Sequence, residues 1–210
     1  MLLLNNRVQK QRQIGFIHIT KTGGTNIKDK NQNNELYFGP YHHEHAKFYF
    51  NKKMPCFAII RDPIERYESI YYYNTFGSDK YKKSNDIKDI NLFVEKHYKN
   101  PEFIKKFESG VQFRKQMYWL NDKNAYVVLY DKNRLIQNIE NFLRNEFSIK
   151  FRYDHSKRRI NVTKNSNRIP LTKESIDKIK KIYHEDVQMY NKCVQHLKNK
   201  NKQYCRLKEF

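Results

Sequence analysis

Three short apolar runs punctuate an otherwise polar chain: Ile14 to Ile19, Cys56 to Ile60 and Ala125 to Tyr130. Each is β-rich and nearly unbroken, the pattern of a strand covered on both faces. Each is followed by a plausible helix start. After the second come Asp62, Pro63, Ile64 and Glu65: an acid to cap the helix, Pro at its first position, and Glu where a capping box places one. After the third, a helical pattern runs from about Lys132 to Asn145. Strands alternating with helices predict parallel βαβ units and a covered sheet. Pro170 precedes Thr172 and Glu174, another helix start. Ile176, Ile179, Tyr183, Val187, Tyr190, Val194 and Leu197 then recur every three or four residues, predicting one apolar stripe on one long helix. Gly77 to Asn91 is polar and reads as a surface excursion. Neither an internal repeat nor a low-complexity linker interrupts the pattern. The expected fold class is therefore α/β, a single domain over residues 1–210 with a central parallel sheet flanked by helices.

Charge adds a constraint. The 210 residues carry 42 Lys and Arg against 22 Asp and Glu, a formal net charge of +20. Such a surplus fits a polyanionic partner: nucleic acid, anionic membrane, an acidic small molecule or a polysaccharide. It also fits compositional drift, since Lys, Asn, Ile and Tyr are all abundant. "MLLL" is too short for a signal-peptide core and no run reaches the length of a transmembrane helix, so a soluble, intracellular protein without a membrane span is expected. Cys56, Cys193 and Cys205 show no metal-ligand spacing, and Cys56, within an apolar run, reads as a buried thiol. Asn161-Val162-Thr163 reads as local structure rather than a glycosylation site.

The first strand runs into Thr20-Lys21-Thr22-Gly23-Gly24-Thr25 and then a helix. This is the architecture of a phosphate cradle: glycines let the backbone curl so that N–H groups point inward, and a helix start adds positive potential. It is not a nucleoside-triphosphate P-loop, whose Lys follows the second Gly and precedes a magnesium-binding Ser or Thr. Taken alone, a Gly pair after a strand is an ordinary turn. The second strand ends at Arg61, and Ser69 lies seven residues beyond Asp62, about two turns on. An Arg and a Ser hydroxyl so placed can hold a phosphate. The bland reading has Arg61 as a solvated strand end, Arg66 pairing with a carboxylate, and Tyr67 and Tyr71 packing as core.

Together the two stretches resemble the nucleotide-binding loops of sulfotransferases that use 3′-phosphoadenosine 5′-phosphosulfate, in the branch acting on carbohydrates. "FIHITKTGGT" is similar to that family's loop for the 5′-phosphosulfate. "IIRDPIERYESIYYY" is similar to its 3′-phosphate motif, with Arg61 and Ser69 on the two ligand positions. "YHHEHAKFYF" resembles the segment carrying the catalytic histidine of hexuronyl 2-O-sulfotransferases, with His43 and His45 on its histidine pair. The tail "RRINVTKNSNRIPLTKESIDKIKKIY" is similar to that branch's closing loop and final helix. The likeness covers residues 14–75 strongly and 155–190 fairly. Thr20 stands where Pro is common, and Glu44 stands where the 2-O branch has Gly.

The resemblance implies a P-loop-kinase-like sulfotransferase fold and an in-line transfer of a sulfuryl group to a hydroxyl. The acceptor it implies is a glycan, and a sulfated or uronate-bearing one would be attracted by the positive charge. Lys21 would neutralise charge growing on the leaving oxygen. Thr22, Gly23, Gly24, Thr25 and Asn26 would line the 5′-phosphate, and Arg61 and Ser69 would read the 3′-phosphate. His45 would be the general base, with His43 as helper or acceptor ligand. The scheme needs no metal and expects no nucleic acid; it leaves oligomeric state open.

Rival readings stand beside this one. His42, His43, Glu44 and His45 have the chemistry of a zinc site, although no separate third or fourth ligand group stands out. The charge and sixteen tyrosines fit a basic module binding RNA or DNA without catalysis. A third reading is a member of the fold that binds nucleotide but has lost catalysis.

Overall fold

The computed structural model describes residues 13–30, 36–40, 43–76, 86–106, 112–154 and 168–210. Its centre is a five-stranded sheet in the order β2-β1-β3-β4-β5. The strands are β1 (Ile14–Ile17), β2 (Leu36–Tyr37), β3 (Cys56–Ile60), β4 (Tyr126–Leu129) and β5 (Tyr204–Arg206). The first four are mutually parallel; for β1, β3 and β4 this is what the alternation of runs predicts, whereas β2 corresponds to none of the three runs. β5 is not: Cys205 pairs with Val127 in an antiparallel register. This corrects the wholly parallel expectation. A short turn after the last helix sends the chain straight back along β4, and only a crossover would have brought it in parallel.

The helices are α1 (Gly24–Lys30), α2 (Ala46–Asn51), α3 (Pro63–Phe76), α4 (Ile90–Lys99), α5 (Gln116–Trp119), α6 (Leu135–Phe147), α7 (Lys173–Ile182) and α8 (His184–Lys200). Alternate strand residues face opposite layers. Ala58 and Ile60 pack with Tyr49 of α2, Trp119 of α5 and Met189, Cys193 and Leu197 of α8. Phe57 and Ile59 pack with Ile27 of α1 and Ile139, Phe142 and Leu143 of α6. A third cluster gathers Tyr67, Ile70, Tyr71, Phe93, Val94, Ile179 and Tyr183 from α3, α4 and α7. Tyr67 and Tyr71 are thus core, as their helical spacing predicts.

Other expectations change in detail. Asp62 does cap α3, its Oδ1 accepting from the N–H groups of Ile64 and Glu65 at 2.8 and 3.1 Å. Glu65 does not close a capping box; its carboxylate turns to Arg61, 3.3 Å away. The single long C-terminal helix is two, broken at Tyr183. There the Tyr183 hydroxyl donates to the Phe113 carbonyl at 2.6 Å. One turn on, the fully buried Asp186 accepts from the N–H groups of Gln116 and Met117 at 2.7 and 3.0 Å. The buried line is therefore Ile179, Tyr183, Asp186, Met189, Cys193 and Leu197, while Ile176, Val187, Tyr190 and Val194 are only half-buried. The polar excursion ends in α4, whose first residue, Ile90, is fully buried.

All three cysteines are free and buried, and Cys193 Sγ lies 3.5 Å from Cys205 Sγ. Burial pushes the Cys56 thiol up to about 12, so it is inert. Among the described residues no helix is long and apolar enough to cross a membrane. His42, the Asn161–Thr163 triplet and the start of the family-like tail lie outside the described residues.

Candidate functional site

Open α/β sheets bind ligands outside the carboxyl ends of their strands, where connections leave two neighbouring strands in opposite directions. Here that point lies between β1, whose chain goes on to β2 at the sheet edge, and β3, whose chain goes on to β4 on the other side. The loop after β1 and the start of α3 therefore meet where the topology favours a ligand.

The loop is tightly drawn. Thr22 is fully buried and its hydroxyl donates to the Ile19 carbonyl at 2.8 Å. Gly23 has φ +90°, open to glycine at little cost. Lys21 has φ +61°. Among the described residues three other non-glycines are left-handed, Lys53, Ser148 and Asn201, and each ends a helix, where that conformation is common. Lys21 alone adopts it in mid-loop, and strain of this kind gathers at functional positions. Gly24 has a different reason: an added Cβ would fall 2.2 Å from the His18 ring, so the second glycine admits that imidazole. Thr25 and Asn26 follow in the first turn of α1.

The loop leans on α3. The Lys21 ammonium lies 3.9 Å from the centre of the Tyr73 ring. Glu65, Ser69 and Tyr73, four residues apart, share one face of the helix. Arg61 reaches that face at its first turn through Glu65. Its Nη1 contacts the Lys21 carbonyl at 3.4 Å and its guanidinium lies 4.6 Å over the Tyr130 ring. The backbone of Arg61 is held by Gln116, which accepts from its N–H at 3.0 Å and donates to its carbonyl at 2.8 Å. Lys21, at Tyr73, and Arg61, at Glu65, thus stand at the two ends of the helix face that carries the half-buried Ser69.

His43 adjoins the loop through His18. The His43 ring stacks on the His18 ring at 4.7 Å, and its Nδ1 lies 2.8 Å from the His18 carbonyl. His45, which precedes α2, places Nδ1 2.8 Å from the Tyr118 carbonyl and its ring 5.2 Å from that of Trp119. A carbonyl can only accept, so Nδ1 carries the proton in both rings. In the neutral form Nε2 then holds the lone pair. Among the described residues no group of three His, Cys, Asp or Glu is arranged to hold a metal ion.

No family model, curated protein or solved structure matches the chain.

Several contributors went unnoticed in the sequence. His18 sits inside an apolar run and reads as strand. Gln116 and Asp186 are polar residues in segments of no evident motif, yet both are fully buried. Arg66, which the bland reading pairs with a carboxylate, instead donates to two carbonyls and a hydroxyl, from Thr20 and Gln112. No motif in the sequence signals this role.

Proposed function

We propose that the chain is a sulfotransferase of P-loop-kinase-like fold that moves a sulfuryl group from 3′-phosphoadenosine 5′-phosphosulfate to a hydroxyl, in keeping with its motifs a carbohydrate hydroxyl. One observation carries the reading. The strained Lys21 loop and the Arg61–Ser69 face of α3 converge at the switch between β1 and β3. Two phosphate-binding groups are what a donor with phosphates on both its 3′ and 5′ positions needs.

The chemistry follows from the residues. The acceptor oxygen forms a bond to sulfur as the bond from sulfur to the 5′-phosphate oxygen breaks. Charge grows on that leaving oxygen, and the Lys21 ammonium neutralises it. The loop from Thr22 to Asn26 holds the 5′-phosphate. Arg61 and Ser69 hold the 3′-phosphate, with Glu65 giving up Arg61 as the dianion arrives. The acceptor proton passes to an imidazole Nε2, assigned by the motif to His45 with His43 beside it. Positioning and charge carry most of the rate in the analogous phosphoryl transfer, and no step requires a metal.

The net charge of +20 equally suits a polyanion-binding module without catalysis. The buried state of Tyr67 and Tyr71 removes both from any base-stacking surface. Incubation with the ³⁵S-labelled donor and a panel of glycans tests the reading: label should appear in one class of glycan. Retention of RNA with no labelled acceptor would favour the binding module.

A further inference from the structure

Arg66 is 1% exposed, yet among the described residues it forms no ion pair. The buried Asp186 attracts the guanidinium charge from beyond contact distance, and neutral acceptors meet the guanidinium's donors. Its Nε donates to the Thr20 carbonyl at 3.0 Å, and its Nη2 donates to the Thr20 hydroxyl at 3.0 Å and the Gln112 carbonyl at 2.9 Å. The Thr20 hydroxyl in turn donates to the Gln112 carbonyl at 3.1 Å. The fork thus joins two irregular segments to α3 from within.

Both segments lead into the candidate site. Thr20 immediately precedes Lys21, so fixing its carbonyl and side chain fixes where the left-handed turn begins and which way Lys21 leaves it. Gln112 opens the segment that carries Gln116, which grips the Arg61 backbone, and Tyr118, whose carbonyl orients His45. A rigid planar fork can hold both at a fixed separation; an ammonium cannot. We infer that Arg66 is the positioning residue of the transfer, setting Lys21 in register with Arg61 and His45 without touching donor or acceptor.

This inference rests on the donor reading above. The test uses the full chain with Arg66→Lys, Arg66→Ala and Thr20→Val. The last keeps the branched shape and removes only the hydroxyl, so it stays informative if the buried Arg variants fail to fold. For each, the melting temperature, the Kd for adenosine 3′,5′-bisphosphate and kcat at saturating donor are measured. Misplacement of a reacting group by about 1 Å costs on the order of 10²-fold in rate. Folded Arg66 variants should therefore lose kcat by roughly that factor and Thr20→Val by about a tenth of it, with Kd changed less than about threefold. Added guanidinium ion should restore part of the Arg66→Ala rate, which a loss of general stability would not allow. Unchanged kcat in Thr20→Val and in any folded Arg66 variant overturns the positioning role. So does a loss that tracks the unfolded fraction. A wild type that neither binds the bisphosphate nor transfers overturns the donor reading, and this inference with it.

Discussion

The Lys21 ammonium lies 3.9 Å from the centre of the Tyr73 ring, one helical turn beyond Ser69. The contact holds a flexible cation over α3, on the face where Ser69 and Arg61 stand. In the proposed transfer its charge matters most as the bond to the leaving oxygen breaks, so Lys21→Ala should slow transfer more than it weakens binding of the bisphosphate product. Loss of such a group costs about 10²–10³ in turnover. Single-turnover rates at saturating donor check this, and an unchanged rate would remove Lys21 from the chemistry.

Arg61 shares its charge with Glu65 at 3.3 Å, in a pair whose acid is 58% exposed. Such a pair contributes little to stability. On the proposed reading it competes with the 3′-phosphate for the guanidinium. Glu65→Gln should therefore leave the melting temperature nearly unchanged and tighten bisphosphate binding several-fold, by roughly 1 kcal/mol or less. Calorimetric titration measures this; weaker binding in the variant would place the 3′-phosphate elsewhere.

The histidines call for shape-preserving changes. Asn puts an amide donor where His has Nδ1, so His45→Asn keeps the bond to the Tyr118 carbonyl and removes only Nε2. Transfer should fall by about 10²–10⁴ with bisphosphate affinity retained. His43→Asn should lose less if His43 positions the acceptor. A His45 variant that turns over at the wild-type rate means the base lies elsewhere.

The layers of the fold were legible in the sequence because three strand runs are apolar on both faces and each is followed by a helix start. Their ends were less so: β1 stops at Ile17, and His18 and Ile19 already belong to the loop. β5 offers only Tyr-Cys-Arg, no pattern a reader could separate from a turn. Hydrophobic periodicity misplaced the C-terminal stripe because Asp186, a carboxylate, sits on its buried line, held by two backbone N–H groups that pattern cannot reveal. Burial pushes its pKa up against those donors. The glycine pair was visible, but the reasons for the two glycines differ, and the reason for Gly24 is an imidazole six residues upstream.

His97 gives the fold a pH dependence of its own. It is a buried residue of α4 whose Nδ1 lies 3.0 Å from the Tyr67 hydroxyl of α3, and burial lowers its pKa to about 4. Between that value and the ordinary 6.5 the unfolded chain binds a proton that the folded chain does not. Stability from this group is thus full above 6.5 and is lost as pH falls toward 4. At about 1.4 kcal/mol per pH unit, the stability advantage of wild type over His97→Gln should shrink by roughly 2–3 kcal/mol between pH 7 and pH 4.5. Urea denaturation at the two pH values checks it, and a constant difference would show that folding leaves the His97 pKa unchanged.

The central claim is that two separate phosphate sites meet at the β1–β3 switch, and binding of adenosine 3′,5′-bisphosphate without magnesium tests it most directly. Calorimetry with the bisphosphate and with AMP, on wild type and on Arg61→Ala, separates the sites. The 3′-phosphate should make the bisphosphate bind much more tightly than AMP, and Arg61→Ala should abolish that difference while leaving AMP affinity little changed. Equal affinity of wild type for the two nucleotides, or no binding of either, would contradict the account.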